Sequence, residues 1–320
     1  MENILVSISC ITYNHEKYIA DAIDSFLMQV TNFNYEILIH DDASTDRTAE
    51  IIKEYEKKYP DIIKPIYQIE NLYSKGISVI PFNINRAKGK YYALCEGDDF
   101  WTDPYKLQKQ VDYMENHPEC SLCVHGGYVV SASDKKVQYT NRPNKGNKIF
   151  NVDEIIAGGG GLFPTNSMFY PTDFARNRPS FLLNAPVGDY PLAINLSLLG
   201  TVFYNDELMS AYRVGDEDSW TARNLSTPEK EKKHIDEIAN TLDEINQYTD
   251  YKYEETINWT KNYNRFYLLL KHRKFKEAKK GEFKDIYLEL GFRRKIIVFF
   301  DQYFPNILKS LKSAKRQLIR

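Results

Sequence analysis

Three times in the first hundred residues an apolar run stops at a polar turn and gives way to a segment with helical spacing, and few folds accommodate that alternation. Residues 5–11 mix β-branched and small side chains and end at Thr12-Tyr13-Asn14-His15, as a buried strand and its exit loop do. Between 16 and 30 the apolar residues Tyr18, Ile19, Ala22, Ile23, Phe26 and Leu27 recur every three or four positions, which predicts an amphipathic helix. Residues 35–40 repeat the strand signature and end in Asp41-Asp42-Ala43-Ser44-Thr45-Asp46. Ser44 or Thr45 is placed there to cap a helix carrying Ala49, Ile52, Tyr55 and Tyr59. A third strand over 62–69, an exit loop over 71–76 and a helix over 77–88 lead into a fourth apolar run at Tyr91. Such alternation implies an α/β fold with a mostly parallel sheet and right-handed crossovers, which gathers the strand-exit loops on one rim.

The fourth run ends in Glu96-Gly97-Asp98-Asp99, three carboxylates within four residues. Acids this close repel one another unless a metal or a basic partner offsets the charge. They stand at the carboxyl end of a strand, where open α/β sheets place their ligands. A polar turn before the helix start at Asp103-Pro104 is the plainer alternative. Lys75 and Arg86 could neutralise phosphates on this rim, or belong to solvated helix faces.

The whole chain narrows the choices. Its 320 residues, 42% of them hydrophobic, suffice for one large domain and an appendage, and a net charge of −2 gives no general case for a nucleic-acid partner. Met1-Glu2-Asn3 leads directly into a strand-like run and no stretch nears the roughly 20 apolar residues of a membrane span, so a cytoplasmic protein is expected. The four cysteines read as buried thiols, because Cys120-x-x-Cys123 has no second ligand pair for zinc.

Taken together, Thr12-Tyr13-Asn14, then residues 39–48, then Cys95-Glu96-Gly97-Asp98-Asp99-Phe100-Trp101 resemble the nucleotide-binding half of family-2 glycosyltransferases of the GT-A fold. The likeness continues through Gly188-Asp189-Tyr190-Pro191-Leu192 and Met209-Ser210-Ala211-Tyr212-Arg213, roughly the first two-thirds of the chain. It implies that Thr12, Tyr13 and Asn14 line a nucleoside pocket and that Asp41 or Asp42 hydrogen-bonds the base, commonly uracil. Glu96, Asp98 and Asp99 occupy the family's Asp-x-Asp position. The resemblance makes Asp99 the direct ligand of Mg²⁺ or Mn²⁺ and sets Asp98 nearer the ribose or sugar, with a share in the metal. Such cations take few protein carboxylates and complete their shells with phosphate and water. Asp189 would be the general base of an inverting transfer; without the resemblance it reads as a helix N-cap, since Pro191 suits a first turn. Arg213 would reach phosphates and Trp220 would stack on a sugar. The histidine that often follows the family's Tyr-Arg segment is missing here, where Gly215-Asp216-Glu217-Asp218 stands.

Elsewhere the second half predicts a helix over 108–115, strands over Cys120–Ser131, 165–170 and 200–204, and possible pairing of Val137-Gln138-Tyr139 with the first of these. Gly158 to Gly161 lack dinucleotide-loop spacing and read as a loop beside the acceptor pocket or a plain connection. Residues 227–280 are helical and charged, fit to pack on the catalytic domain or to support a homodimer. From 293 to 320 there are eight basic residues (Arg293, Arg294, Lys295, Lys309, Lys312, Lys315, Arg316, Arg320) against one acid, Asp301. A basic, aromatic-bearing tail suits an anionic membrane surface, or a helix with solvated lysines.

The expected organisation is a GT-A domain over 1–222, divided at 103/104 into nucleotide and acceptor halves, a helical extension over 223–290 and a basic amphipathic tail over 291–320. The expected activity is transfer of a sugar from a nucleotide donor, UDP-sugar favoured, to a glycan or lipid-linked glycan of a surface polysaccharide, at the inner face of the membrane. A metal-dependent nucleotidyl- or phosphotransferase is the rival enzyme, weakened by the lack of a Gly-x-x-x-x-Gly-Lys loop. A non-catalytic glycan-binding relative is the other rival.

Overall fold

Strand β1 (Ile4–Thr12) is buried along most of its length, and its neighbours follow from the same composition. The computed structural model describes residues 3–305; the second half of the basic tail, with Lys309, Lys312, Lys315, Arg316 and Arg320, lies outside the described residues. After β1 come α1 (Ile19–Leu27), β2 (Asn34–Asp41), α2 (Thr48–Lys58), β3 (Ile63–Tyr67), α3 (Ile80–Arg86), β4 (Tyr91–Leu94), β5 (Phe100–Trp101) and α4 (Lys106–Asn116). Then follow β6 (Cys120–Ser131), β7 (Val137–Asn141), β8 (Lys148–Phe150), α5 (Val152–Gly158), β9 (Phe169–Pro171), α6 (Thr172–Arg176), α7 (Ser180–Leu183), α8 (Asp189–Leu199) and β10 (Thr201–Val214).

One ten-stranded sheet runs in the order β3-β2-β1-β4-β9-β6-β10-β5, with β7 added beside β6 and β8 beside β10. Its first four strands are parallel. Beyond β4 the sheet turns mixed, because β9 runs antiparallel to both β4 and β6 while β10 is parallel to β6. The parallel half sets the ends of β1, β2 and β4 side by side, so the polar loops after Thr12, Asp41 and Leu94 share one rim.

Helix α1 buries Ile19, Ala22, Ile23 and Phe26 against the sheet, each large side chain contributing about 1.5–3 kcal/mol. Phe26 meets Trp101 edge-on at 4.9 Å between centroids. Lys106 is wholly buried beneath that tryptophan, its Nζ 4.0 Å from the ring centroid and 2.7 Å from Gln110 Oε1. Burial pulls its amine down to about 7.

Several expectations shift. Residues 165–170 do not form one strand: Thr165–Ser167 is a 3₁₀ turn and only Phe169–Pro171 pairs. Conversely, the strand expected at 200–204 and the segment from Met209 are one 14-residue strand, β10, which accommodates Asn205, Asp206 and Glu207 at register shifts against β6. Helix α2 is capped neither by Ser44 nor by Thr45. Asp46 Oδ1 accepts the Thr48 N–H at 2.9 Å instead.

The described chain divides into two compact units, Met1–Ser219 and Trp220–Arg320. The second contains α9 (Trp220–Asn224), α10 (Pro228–Tyr248), α11 (Glu254–Lys271), α12 (Lys284–Glu289) and α13 (Phe292–Tyr303). Phe266, Phe275, Ala278, Ile286, Leu290 and Val298 form a core of their own. Among the described residues no helix is long and apolar enough to cross a membrane.

Candidate active site

The loops leaving β1 and β2 are sewn together by main-chain N–H groups of each that donate to side-chain oxygens of the other. Asn14 donates its N–H to Ser44 Oγ (2.9 Å) and its Oδ1 accepts the Thr45 N–H (2.8 Å). His15 N–H reaches Thr48 Oγ1 (2.8 Å), Glu16 N–H reaches Asp46 Oδ2 (3.0 Å), and Arg47 N–H returns to Glu16 Oε2 (3.1 Å). Asn14 and Ala43 both take positive φ, 56° and 60°, which asparagine tolerates better than most residues. Thr12 is buried and Tyr13 half-buried, so the three residues expected to line a nucleoside pocket lie together at this seam.

Asp41 and Asp42 are both buried and occupied. Asp42 accepts the N–H groups of Leu72 (2.9 Å) and Tyr73 (3.0 Å), holding the loop after β3 against the rim. Asp41 accepts from the Ser44 hydroxyl, and burial raises its carboxyl above the usual range.

The loop after β4 carries Glu96, Gly97, Asp98 and Asp99. Gly97 N–H donates to Ile11 O at 3.0 Å, and a Cβ at Gly97 would stand 2.6 Å from Thr12 Oγ1 and 2.8 Å from Thr12 Cβ. Glycine is therefore required for this turn to close on β1. Gly97→Ala is expected to cost about 1–3 kcal/mol and to weaken nucleotide binding, measured by urea unfolding and by nucleotide-induced thermal shift.

Asp99, expected as the direct metal ligand, faces inward. It is 1% exposed, its Oδ1 accepts the Arg213 N–H (2.9 Å) and its Oδ2 accepts from Asn166 Nδ2 (3.0 Å). Burial, then the neighbouring Asp98 carboxylate, hold it well above the usual carboxylate range. Asp98 and Glu96 face the cleft instead. Asp98 lies 4.0 Å from His15 Nε2. Glu96 is exposed at the edge of the cleft, yet the protein packed around it and then the Asp98 and Asp189 carboxylates raise it to about 8.

Asp189 opens α8. The Thr165 hydroxyl donates to its Oδ2 (3.2 Å) and the Tyr190 N–H to its Oδ1 (2.7 Å). It borders a cavity of about 590 Å³ lined by Tyr139, Asn141, Arg142, Gly158, Gly160, Gly161, Thr165 and Tyr212 among others. The glycines after α5 thus form one wall. Arg142 is paired there with Asp206, Nη2 to Oδ2 at 2.6 Å.

The Thr165-Asn166-Ser167 turn joins the two regions; the sequence suggests that its small polar residues could face the acceptor pocket, but not that they tie Asp189 to Asp99. Thr165 orients Asp189 while Asn166 binds Asp99, Ala211 O (3.1 Å) and Ser210 Oγ (2.6 Å), and its carbonyl takes the Trp101 indole N–H (2.9 Å). A short run of small polar residues was the sole signal.

Three expected cationic contacts fall elsewhere. Arg86 donates to Lys64 O (2.6 Å), Ile39 O (2.9 Å) and Asn83 Oδ1, which commits the guanidinium to carbonyls of β2 and β3. Arg213 is buried, held by Asp21 and by Asp98 O, and sandwiched between Tyr18 and Phe100 at 5.0 and 4.6 Å. It braces the acidic loop from behind. Lys75 pairs with Glu70 at 2.6 Å, both half-exposed. Trp220 belongs to the second unit, edge-on to His234, and Asp216 accepts from the Tyr18 hydroxyl.

Comparison with known proteins places this arrangement. The profile of Glycosyl transferase family 2 matches residues 7–176, more than half of the chain. Rv1520 of Mycobacterium tuberculosis, an uncharacterized protein, is 37% identical over 215 residues, covering 65% of this chain and 58% of its own. The match thus spans less than two-thirds of that relative. TuaG of Bacillus subtilis, a putative teichuronic acid biosynthesis glycosyltransferase, is 36% identical over 131 residues, 41% of this chain and 49% of its own. Among solved structures, S. aureus TarS residues 1–349 in complex with UDP-GlcNAc superposes with a TM-score of 0.57 at 15% identity, over 93% of this chain and 79% of that one. The mannosyltransferase PcManGT from Pyrobaculum calidifontis, in complex with GDP-Man and Mn²⁺, gives 0.55 at 12% identity, over 98% and 84%. At these identities the likeness is one of fold, GT-A with C-terminal helices. By the extent of the family match, the chain belongs to glycosyl transferase family 2.

Proposed function

We propose that this chain is an inverting glycosyltransferase that moves a sugar from a nucleotide donor to a hydroxyl of a growing glycan. The observation that carries the reading is the placement of Asp189, aimed by Thr165 and the Tyr190 N–H at the edge of a 590 Å³ cavity and near enough to Glu96 for its charge to raise that carboxyl. The acceptor hydroxyl gives its proton to Asp189 as its oxygen bonds to the anomeric carbon, and the bond from that carbon to the diphosphate breaks on the opposite face. The cavity beside the glycine wall takes the acceptor. The seam at Thr12, Tyr13 and Asn14 takes the nucleoside.

Among the described residues no three His, Cys, Asp or Glu side chains form a ready-made metal site. The donor set still fits a divalent cation: Asp98 and Glu96 are neighbouring carboxylates that repel one another, and among the described residues neither carboxylate forms a salt bridge with a lysine or arginine. Mg²⁺ or Mn²⁺ would be held by Asp98 with Glu96, directly or through water, and would offset charge on the departing diphosphate. The Mn²⁺ bound by PcManGT supports this reading.

UDP-sugars are the favoured donors, in line with the UDP-GlcNAc held by TarS, and GDP-sugars are the comparison. A surface polysaccharide, lipid-linked during growth, is the proposed acceptor class, in line with the description of TuaG. The test is a thermal-shift screen of UDP- and GDP-sugars with and without Mn²⁺ or Mg²⁺, followed by assay of released nucleoside diphosphate. A UDP-sugar should raise the melting temperature only with metal present, and release UDP. If no donor binds or is turned over, the reading fails.

A further inference from the structure

We propose that the exposed apolar face of α13 docks onto an anionic lipid bilayer. On α13 the residues Phe292, Ile296, Phe299 and Tyr303 follow one another at spacings of four, three and four, which makes a single stripe on a helix. All four are exposed, Phe292 to 79%. The opposite side of the same helix buries Val298 against Phe266 and Phe275, so the stripe is an outward face of a packed helix. Leu288, in the preceding helix α12, is exposed as well.

On α11, Trp259, Tyr263 and Tyr267 stand at four-residue spacing. Their rings lie 4.7 and 5.3 Å apart between successive centroids, and Trp259 and Tyr267 are exposed. Arg294, on the side of α13 away from the stripe, donates from Nη1 to the Tyr263 hydroxyl at 3.0 Å and ties the two helices together. An exposed apolar stripe of this kind marks an interaction site on a folded protein.

Charge selects the partner. Arg293 and Lys295 flank the stripe on its two sides, and residues 293–320 hold eight basic side chains against Asp301 alone, in a chain whose net charge is −2. A two-fold contact with a second copy would bring these cations face to face, whereas an anionic surface pairs with them. Tyrosine and tryptophan rings with one polar edge suit the headgroup level of a bilayer. A 12-residue helix with apolar and basic sides lies in that interface without crossing it.

The test uses the full chain without nucleotide, so its outcome is separate from that of the transfer reading. The protein is co-sedimented with vesicles of phosphatidylcholine alone and of an equimolar phosphatidylcholine–phosphatidylglycerol mixture. Binding to the anionic vesicles should exceed binding to the neutral ones by at least about tenfold, since each basic residue near the surface adds about fivefold, and should fall as salt rises. The double variant Phe292→Ser/Phe299→Ser should lose at least about tenfold of that binding while its melting temperature stays within a few degrees of the parent's, because Phe292 is 79% and Phe299 48% exposed. Arg293→Gln should lose about fivefold. The proposal is overturned if the chain ignores anionic vesicles or binds both kinds equally. It is also overturned if sedimentation equilibrium finds a dimer that the double serine variant dissolves, which would assign the face to a second copy.

Discussion

Asp189→Asn is expected to lower sugar transfer about 10²–10⁴-fold, the range of a lost general base, and to leave donor binding intact. The amide is nearly isosteric with the carboxylate. Its oxygen can still accept the Tyr190 N–H and its nitrogen can face the Thr165 hydroxyl, so the start of α8 keeps its hydrogen bonds. Melting temperature and the metal-dependent thermal shift by donor should therefore match the parent protein, and the loss should appear in kcat. A variant that keeps a tenth or more of the parent rate removes Asp189 from the chemistry. A variant that fails to bind donor would instead place the side chain in the donor site.

The second large effect separates two adjacent aspartates. Asp98→Asn should melt like the parent but lose metal-dependent donor binding by at least about a hundredfold, because it removes a charge facing the cleft. Asp99→Ala should do the reverse first. It strips the acceptor from the Arg213 N–H and from Asn166 Nδ2, both buried, at a cost of about 1–3 kcal/mol for each unpaired group. Urea midpoints report the second change and thermal shift with Mn²⁺ and UDP the first. If Asp99→Ala unfolds at the parent's midpoint, the inward-facing role is wrong. Cation affinity should also climb with pH up to about 8 and level off there. Glu96 is raised to about 8, so below that pH it must give up a proton before it helps hold a cation.

The pairing of Asp98 with Asp99 shows why the sequence is a partial guide. Successive carboxylates look alike in a string, yet Phe100 and Trp101 pair with Ala211 and Ser210 of β10, and that distant pairing turns Asp99 inward. The parallel half was readable because β1, β2 and β4 are dense in β-branched or aromatic residues, bounded by polar turns, and because α1 shows its buried face at three- and four-residue spacing. Strand β10 was harder: Asn205, Asp206 and Glu207 interrupt its apolar pattern, and the strand persists because β6 supplies a backbone partner on either side of the interruption. Arg86 and Arg213 illustrate a limit of charge. A guanidinium that binds phosphate and one that gathers main-chain carbonyls have the same signature, and the carbonyls concerned, Lys64 and Ile39, belong to other strands.

The stitching between the loops after β1 and β2 has an energetic consequence. Fixing a residue's backbone costs about 1–2 kcal/mol, and five hydrogen bonds between residues 14–16 and 44–48 make that expenditure during folding. On the proposed reading, a nucleoside arriving at this seam would meet a wall already set and would not have to organise it. The two loops also become one mechanical part: a substitution at Ser44 or Thr48 moves Asn14 and His15 without touching any ligand. On that reading, changes in nucleoside preference should arise from residues that never contact the base.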